Sequence, residues 1–231
     1  MGAGYRMTAR GNREAEVLIY EDVGEWFGGV TAKDFHADLR RIGGIDTLNV
    51  RLNSYGGEVF EGLAIYRHLA EHPARKVVHV DGVAASIASI IAMAGHEIRI
   101  AAAARMMVHE ASGFAAGRPR RLREVADQLE SMSGSLADVY VARTGRKIEE
   151  VRGWMDAATD TWFTAPEALA AGLATSIVEN VRAAARYDPR IHGHIRNVPA
   201  DILAAVSTAR PARDTLAARI AAQRARLLPP V

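Results

Sequence analysis

Ser86 lies where a strand-like apolar run passes into a helix-like run of small residues. The strand is KVVHVDGV, and Ala84 to Ala94 predicts a buried helix with this serine in its first turn. Free backbone N–H groups converge in a first helical turn, so a serine there is suited to attack a carbonyl. The same position suits a serine that only caps the helix. Ser89, one turn further on, is expected to be buried packing.

His109 is the histidine best placed to act as a general base. It ends the strand-like run RMMVH and precedes a glycine-containing loop, and a base must be held by firm structure near its nucleophile. A third group must then orient the imidazole ring. Asp156 and Asp160 both lie in MDAATDTWF, and the residues alone do not separate these two candidates.

The stretch NSYGG, residues 53–57, places two glycines at a predicted strand-to-helix junction. The tetrahedral intermediate of acyl transfer is stabilised by two backbone donors. The N–H of Ile87, next to Ser86, supplies one of them. A glycine N–H in a facing turn can supply the other, because glycine lets the backbone approach closely. A tight turn with close helix packing is the alternative explanation.

The elements that must position these residues alternate between strand and helix. Glu58–His72 and Pro119–Arg143 have apolar residues at helical spacing. Capping-box patterns begin two further helices after Thr31 and Thr164. Strands are predicted at EVLIYEDV, TLNVRL, KVVHVDGV, EIRIA, RMMVHEA and SIVEN, and a shorter helix at KIEEVRGWM. This alternation predicts an α/β fold with largely parallel pairing.

The composition excludes several classes of function. The chain has no cysteine, which excludes disulfides, thiolate metal sites and a cysteine nucleophile. The net charge of +2 is too small to predict a nucleic-acid partner. His192 and His194 form HGH, which is a weak metal motif without further ligands. No secretory signal is evident, and the most apolar stretch is shorter than a membrane span. We therefore expect a cytoplasmic protein with no cofactor, metal, nucleic-acid or membrane partner.

Three regions are expected along the chain. Residues 1–15 are polar and glycine-rich, which predicts a flexible arm, and residues 16–180 form the folded domain. Residues 181–231 are a basic extension rich in alanine and arginine. Within it, DTLAARIAAQRARLL has the pattern of a basic amphipathic helix, either as a solvated tail or as a segment that binds a partner.

The stretches NSYGG, GVAASIASIIAMAG, MMVHEASG and DTWFTAPEALAAGLA occur in this order. Together they closely resemble the Clp protease proteolytic subunit family, ClpP, over roughly residues 16–180. The resemblance implies a repeated ββα superhelix, which crotonase-like enzymes share, with Pro119–Arg143 as a long handle helix between two rings. It also implies a homo-oligomer, as a heptameric ring or a stacked double ring.

Carried over residue by residue, the resemblance makes Ser86 the nucleophile, His109 the general base and Asp160 the third member of a catalytic triad. Gly57 and Ile87 take the positions of the two backbone donors of the oxyanion hole. A Ser-His-Asp set of this kind hydrolyses peptide bonds without a metal or cofactor.

The chain departs from the family pattern at several places. Tyr55 replaces the family's usual proline, which changes the rigidity of the turn and is expected to shape the substrate groove. Ile87 replaces the usual methionine, with little expected effect because its backbone N–H does the work. The N-terminal arm has no clear match to the family's axial loops, and the segment after residue 180 is extra. Both differences weigh against docking of an unfoldase ATPase.

Three stretches most resemble the phage-encoded branch of the family in sequence: NSYGGEVFEGLAIY, AASIASIIAMAG and WFTAPEALAAG. Those proteins are head-maturation proteases that process capsid or scaffold precursors. We therefore expect an ATP-independent serine endopeptidase acting in the host cytoplasm or inside a procapsid. The alternatives are a ClpP-type subunit working with an unfoldase ATPase, a crotonase-like acyl-CoA enzyme, and a scaffold in which the triad is vestigial.

Overall fold

The structure is a computed structural model that describes residues 5–156, 160–179, 192 and 195–203. Within these residues eight strands form one sheet, and α-helices connect them. The strands are β1 (Tyr5–Arg10), β2 (Glu14–Ile19), β3 (Thr47–Ser54), β4 (Arg75–Ala85), β5 (Glu97–Ala101), β6 (Arg105–Val108), β7 (Thr161–Thr164) and β8 (Ser176–Val178). The helices are α1 (Ala32–Ile42), α2 (Val59–Glu71), α3 (Ile87–Ala92), α4 (Pro119–Thr144), α5 (Ile148–Met155) and α6 (Ala165–Ala171), with a 3-10 turn at Glu25–Phe27.

The sheet has the order β1-β2-β3-β4-β5-β8 and is parallel from β2 to β8. The long strand β4 lies at its centre and divides its pairing. Residues 77–80 pair with β5, whereas residues 83–85 pair with β6, also in parallel. Strand β7 then pairs antiparallel with β6. The predicted α/β fold with largely parallel pairing is confirmed, and α4 is the predicted long helix.

The core explains why α3 is built from small and aliphatic residues. All six residues of α3 are buried, so none of its faces is open to water. Ile65 of α2 and Tyr140 of α4 belong to the same buried cluster. Burial of this kind is the main source of folding free energy, and it holds the helix that follows Ser86 in one place.

The predicted capping signals are confirmed. The Thr31 hydroxyl accepts the N–H of Asp34 at 3.1 Å at the start of α1. Thr164 and Glu167 form a complete capping box at the start of α6. Such caps satisfy backbone donors that have no partner inside the helix. The boundaries of these two helices therefore follow from side chains that are visible in the sequence.

Two sequence expectations are corrected. The predicted flexible arm over residues 1–15 is wrong from Tyr5 onward, because β1 and β2 form a hairpin at the sheet edge. Tyr5 and Met7 are two residues apart, so they lie on the same face of β1, and both pack against the core. The glycines and charges of this region do not indicate that spacing. The helix expected from Ala84 begins later, since β4 continues to Ala85 and α3 starts at Ile87.

Part of the predicted extension over residues 181–231 is also described. His192 and residues 195–203 are in contact with the folded domain, where Ile195 is buried. The basic helix predicted over DTLAARIAAQRARLL lies outside the described residues. Among the helices that the structure does describe, none combines the length and the apolar character needed to span a bilayer.

Two glycines in helix interiors provide a test of this packing. A Cβ atom on Gly62 of α2 would lie 2.2 Å from Cγ1 of Ile87, whereas at Gly134 of α4 no described atom beyond its own helix neighbourhood lies within 4 Å. We expect Gly62→Ala to lower the free energy of unfolding by about 1–3 kcal/mol through overpacking. Gly134→Ala should raise it by about 0.5–1 kcal/mol. Urea denaturation followed by circular dichroism measures both changes, and a stabilised Gly62→Ala would contradict the tight α2–α3 contact.

Candidate active site

Three paired strands bring the predicted triad together. Ser86 follows β4, His109 follows β6, and Asp160 precedes β7. The parallel register aligns Ala85 with Met107, and the antiparallel register aligns Val108 with Thr161. Each of the three residues therefore flanks a strand at the same edge of the sheet. Backbone pairing alone places them next to one another.

The side chains complete the arrangement. His109 Nε2 lies 2.7 Å from Ser86 Oγ, and His109 Nδ1 lies 3.3 Å from Asp160 Oδ1. Both His109 and Asp160 are buried. With Nδ1–H donating to the carboxylate, Nε2 is the acceptor for the Ser86 hydroxyl, which is the tautomer that a general base requires. Asp156, the other aspartate that the residues left open, follows α5 as its C-terminal cap residue.

The backbone of Ser86 excludes the reading of this residue as an ordinary helix cap. Its side chain makes no capping hydrogen bond to α3, and its φ and ψ are 53° and −131°. A positive φ is uncommon outside glycine, and strained backbone of this kind costs roughly 1–3 kcal/mol and clusters at functional sites. The Ser86 N–H donates to the Met107 carbonyl at 3.0 Å, which fixes the turn against β6.

The two glycines of NSYGG are both required by close backbone contacts, Gly56 with the turn at Ser86 and Gly57 with Val23. Gly56 has φ of 105°, and a Cβ atom there would lie 2.7 Å from Cβ of Ser86. Gly57 has φ of 137°, and its Cβ atom would lie 2.0 Å from the Val23 carbonyl oxygen. Other residue types are excluded at both positions, because they have a Cβ atom. The sequence expectation of close backbone approach is thereby explained.

An isolated parallel β-bridge joins Gly57 to Val23, and it sets the direction of the Gly57 N–H. Val23 N–H donates to the Gly56 carbonyl at 2.6 Å, and Glu58 N–H donates to the Val23 carbonyl at 2.9 Å. In such a parallel bridge the N–H of the central residue points to the opposite side. The Gly57 N–H is therefore directed away from Val23, and Gly57 lines the same cavity as Ser86 and Ile87.

The cavity beside Ser86 is small and shares lining residues with a larger one. It has a volume of about 30 Å³ and is lined by His109, Leu136 and Tyr140 among others. A cavity of about 300 Å³ adjoins it, lined by Trp26, Phe27, Gly57, Glu58, Val59 and Ser112. Gly57 belongs to both. An extended chain that reaches Ser86 thus has room on the side of the 3-10 turn.

Ser89 is packing, as expected, and it also ties α3 to α4. Its hydroxyl donates to the Ser86 carbonyl at 2.6 Å and lies 2.6 Å from the Tyr140 hydroxyl. Burial raises the pKa of Tyr140, so its phenol stays protonated and available for hydrogen bonding. This chain of contacts holds the backbone at Ser86.

Three features of the site were not predicted from the sequence. The Arg196 N–H donates to Asp160 Oδ2 at 2.6 Å. His192, of the HGH motif, lies 2.8 Å through Nε2 from Asp22 Oδ2, and its ring centroid is 4.5 Å from that of Tyr55. Tyr55 is buried in the cluster that contains Ile195, so the expectation that it shapes the substrate groove is not supported. His194 lies outside the described residues.

A metal centre is not indicated in the part of the chain that the structure describes. No group of three or more histidine and acidic side chains there has an arrangement that could hold a metal ion.

Comparison with known proteins identifies the family. The family model described as Clp protease matches residues 8–181. The chain belongs to the Clp protease family. It is 34% identical over 131 residues to the ATP-dependent Clp protease proteolytic subunit 3 of Rhodococcus jostii (strain RHA1), covering 56% of this chain and 64% of that protein. It is 30% identical over 157 residues to the ATP-dependent Clp protease proteolytic subunit of Porphyromonas gingivalis, covering 66% and 70%.

A solved structure agrees with this assignment at the level of the fold. A ClpP1 mutant from Listeria monocytogenes superposes with a TM-score of 0.62 at 22% identity, covering 73% of this chain and 92% of the other. The match to the Rhodococcus protein spans slightly under two thirds of that relative's length. Family membership indicates a peptidase, and the mixed α/β fold is that of the ClpP structures.

Gly57 provides a direct test of the second backbone donor. Gly57→Ala would force the turn away from Val23 and displace the N–H, so we expect labelling of Ser86 by a fluorophosphonate to slow by about 100- to 1000-fold. Gly44→Ala is the matched control, because no described atom outside its chain neighbours lies within 4 Å of a Cβ atom there. In-gel fluorescence with time measures the rates. Equal labelling rates in the two variants would contradict an oxyanion role for Gly57.

Proposed function

We propose that this chain is a serine endopeptidase that hydrolyses peptide bonds through Ser86, His109 and Asp160. The observation that carries the proposal is the 2.7 Å contact between Ser86 Oγ and His109 Nε2, with the other ring nitrogen facing a buried carboxylate. This geometry joins a nucleophile to a base and the base to an orienting group. Membership of the Clp protease family supports a peptidase.

The mechanism follows from these contacts. His109 Nε2 takes the Ser86 proton as Oγ bonds to the scissile carbonyl carbon, and Asp160 stabilises the resulting imidazolium. The backbone N–H groups of Gly57 and Ile87 stabilise the oxyanion. His109 then gives its proton to the leaving amine nitrogen as the C–N bond breaks. Water, deprotonated by His109, attacks the acyl carbon. The C–Oγ bond then breaks, His109 returns the proton to Ser86 Oγ, and the second product is released.

For substrate and partners, we propose an ATP-independent enzyme of the phage head-maturation type. The support is the resemblance of three stretches to the phage-encoded branch of the family: NSYGGEVFEGLAIY, AASIASIIAMAG and WFTAPEALAAG. The substrates would then be capsid or scaffold precursors in the host cytoplasm or in a procapsid. The enzyme would work as a homo-oligomeric ring, heptameric in the family pattern, with α4 as the handle between stacked rings.

A second candidate is a peptidase subunit that works with an unfoldase ATPase. The observation that favours it is the name of the relatives, which are ATP-dependent Clp protease proteolytic subunits. The serine chemistry is the same in both candidates, and only the delivery of substrate differs. The crotonase-like alternative needs no Ser-His-Asp set, so the contacts of His109 weigh against it.

Removal of the nucleophile tests the chemistry. We expect Ser86→Ala to lower kcat for a fluorogenic peptide by about 10⁶-fold, as in other serine triads. The variant should also lose fluorophosphonate labelling. Ser135→Ala, at an exposed position of α4 outside the cavity lining, is the control for a serine that does not carry the reaction. Hydrolysis that survives in Ser86→Ala at the wild-type rate would refute the proposal.

Addition of an unfoldase separates the two delivery routes. We expect the enzyme to cleave an unfolded protein at the same rate with or without a bacterial Clp unfoldase and ATP. A folded substrate should stay intact in both mixtures, because an unfoldase that does not dock on the enzyme delivers no unfolded chain to Ser86. Gel electrophoresis with time gives the rates, and Ser86→Ala corrects for contaminating proteases. Degradation of the folded substrate only when unfoldase and ATP are present would favour the second candidate.

Incubation with a capsid precursor tests the substrate class. We expect a defined cleavage of a co-expressed phage capsid or scaffold precursor, with new termini that mass spectrometry can locate. The discrete termini follow from an endopeptidase that recognises a site rather than an unfolded end. Complete degradation to short peptides, or no cleavage while casein is cleaved, would count against a maturation role.

A further inference from the structure

Residues 195–203 lie beyond the part of the chain that the Clp protease family model matches, which ends at residue 181. They are nevertheless packed on the strands that carry the triad. Ile195 is buried, and Val198 and Ile202 pack with it on a small cluster separate from the main core. The other members of that cluster are Tyr55, Val83, Ala85, Met107 and Trp162. The segment therefore covers β4 and β6 just before Ser86 and His109.

This segment makes a direct contact with the triad. The Arg196 N–H donates to Asp160 Oδ2 at 2.6 Å, while Asp160 Oδ1 faces His109. The two carboxylate oxygens thus have different partners, one on the base and one on the segment. A backbone donor to a carboxylate is a charge-assisted hydrogen bond, which is stronger than a neutral one. It fixes the rotation of a buried carboxylate whose backbone has φ of 37°.

Two further contacts hold the segment around Arg196 in place. The Trp162 indole N–H donates to the Arg196 carbonyl at 3.1 Å, and Trp162 belongs to β7, directly after Asp160. Arg105 of β6 forms an ion pair with Asp201 at 3.0 Å. The Arg196 side chain itself is exposed. The contact to Asp160 therefore belongs to the main chain and does not depend on the arginine side chain.

We propose that residues 195–203 are a clamp that orients Asp160, with Arg196 as a positioning residue that acts through its main-chain N–H. The inference rests on the proposed function, since Asp160 matters for rate only if the triad carries the reaction. The clamp lies behind Asp160, and none of the described residues that line the two cavities belongs to it. It should therefore govern kcat and leave KM unchanged.

The first test compares two substitutions at one position. Proline has no N–H, so Arg196→Pro removes the donor, whereas Arg196→Ala keeps it. A hydrogen bond to a charged group changes an equilibrium constant by about one to two orders of magnitude. We expect kcat for a fluorogenic peptide to be about 10- to 100-fold lower in Arg196→Pro than in Arg196→Ala, with equal KM. Equal kcat values in the two folded variants would overturn the proposal.

A double-mutant cycle separates positioning from general damage. If Arg196 acts through Asp160, Arg196→Pro causes no further loss of kcat in an Asp160→Ala background. An equal fractional loss in both backgrounds overturns the proposal. Should Arg196→Pro unfold, as thermal denaturation would reveal, Trp162→Phe takes its place in the cycle. That variant removes the donor to the Arg196 carbonyl, with an expected loss of about 2- to 10-fold in kcat.

A readout without catalysis keeps the clamp testable on its own. The His109 Nδ1–H that donates to Asp160 should give a low-field proton NMR signal, assigned by its loss in Asp160→Ala. We expect the signal in Arg196→Ala and its loss or shift in Arg196→Pro. An unchanged signal in Arg196→Pro overturns the clamp even if the enzyme is active. Absence of Ser86-dependent hydrolysis beside a clamp-dependent signal would instead refute only the proposed function.

Discussion

The site depends on the parallel pairing of the last residues of β4 with β6. Residues 83–85 leave the pairing with β5 and align with β6, so the chain ends of the two strands meet. Ser86 and His109 are the next residues along these strands, and the antiparallel β7 brings Asp160 to the same edge. A shift of one residue in either register would send the side chain of Ser86, His109 or Asp160 to the other face of the sheet.

The second constraint is the close approach of the turn at Gly56 to the turn at Ser86. The strained backbone of the site costs free energy, which the surrounding packing offsets. Ser86 and Asp160 both have positive φ, which is unfavourable for residues with a Cβ atom. The strained turn at Ser86 is held by the Met107 carbonyl, by the Ser89 hydroxyl and by the fully buried helix that follows. Gly56 and Gly57 let the facing turn come close. The site is thus pre-organised by the fold before any substrate arrives.

Much of this arrangement was predictable from the sequence, because its signals are local. Short stretches of the chain indicate the apolar strands and the caps at Thr31 and Thr164. They also contain Ser86, His109 and Asp160 in that order. The choice between Asp156 and Asp160 was not available from the residues alone. It depends on the pairing of β6 with β7, which is a long-range contact that short apolar runs do not specify.

The contacts of residues 195–203 could not be predicted from the sequence, because they too are long-range contacts. Ile195 and Tyr55 lie far apart in sequence, and neither local periodicity nor charge indicates that they meet. The interpretation of Tyr55 as a groove residue followed from its place in NSYGG. Its side chain is instead buried and lies against the ring of His192. Where a side chain points after a glycine-rich turn depends on the turn conformation, which composition does not specify.

The most direct test of the account is a crystal structure of the enzyme after reaction with a fluorophosphonate. We expect a covalent bond to Ser86 Oγ alone. The phosphonyl oxygen should lie within about 3 Å of the N–H nitrogens of both Gly57 and Ile87, a normal hydrogen-bond distance. An adduct on another residue, or a phosphonyl oxygen directed away from both donors, would contradict the assignment of this edge of the sheet as the catalytic site.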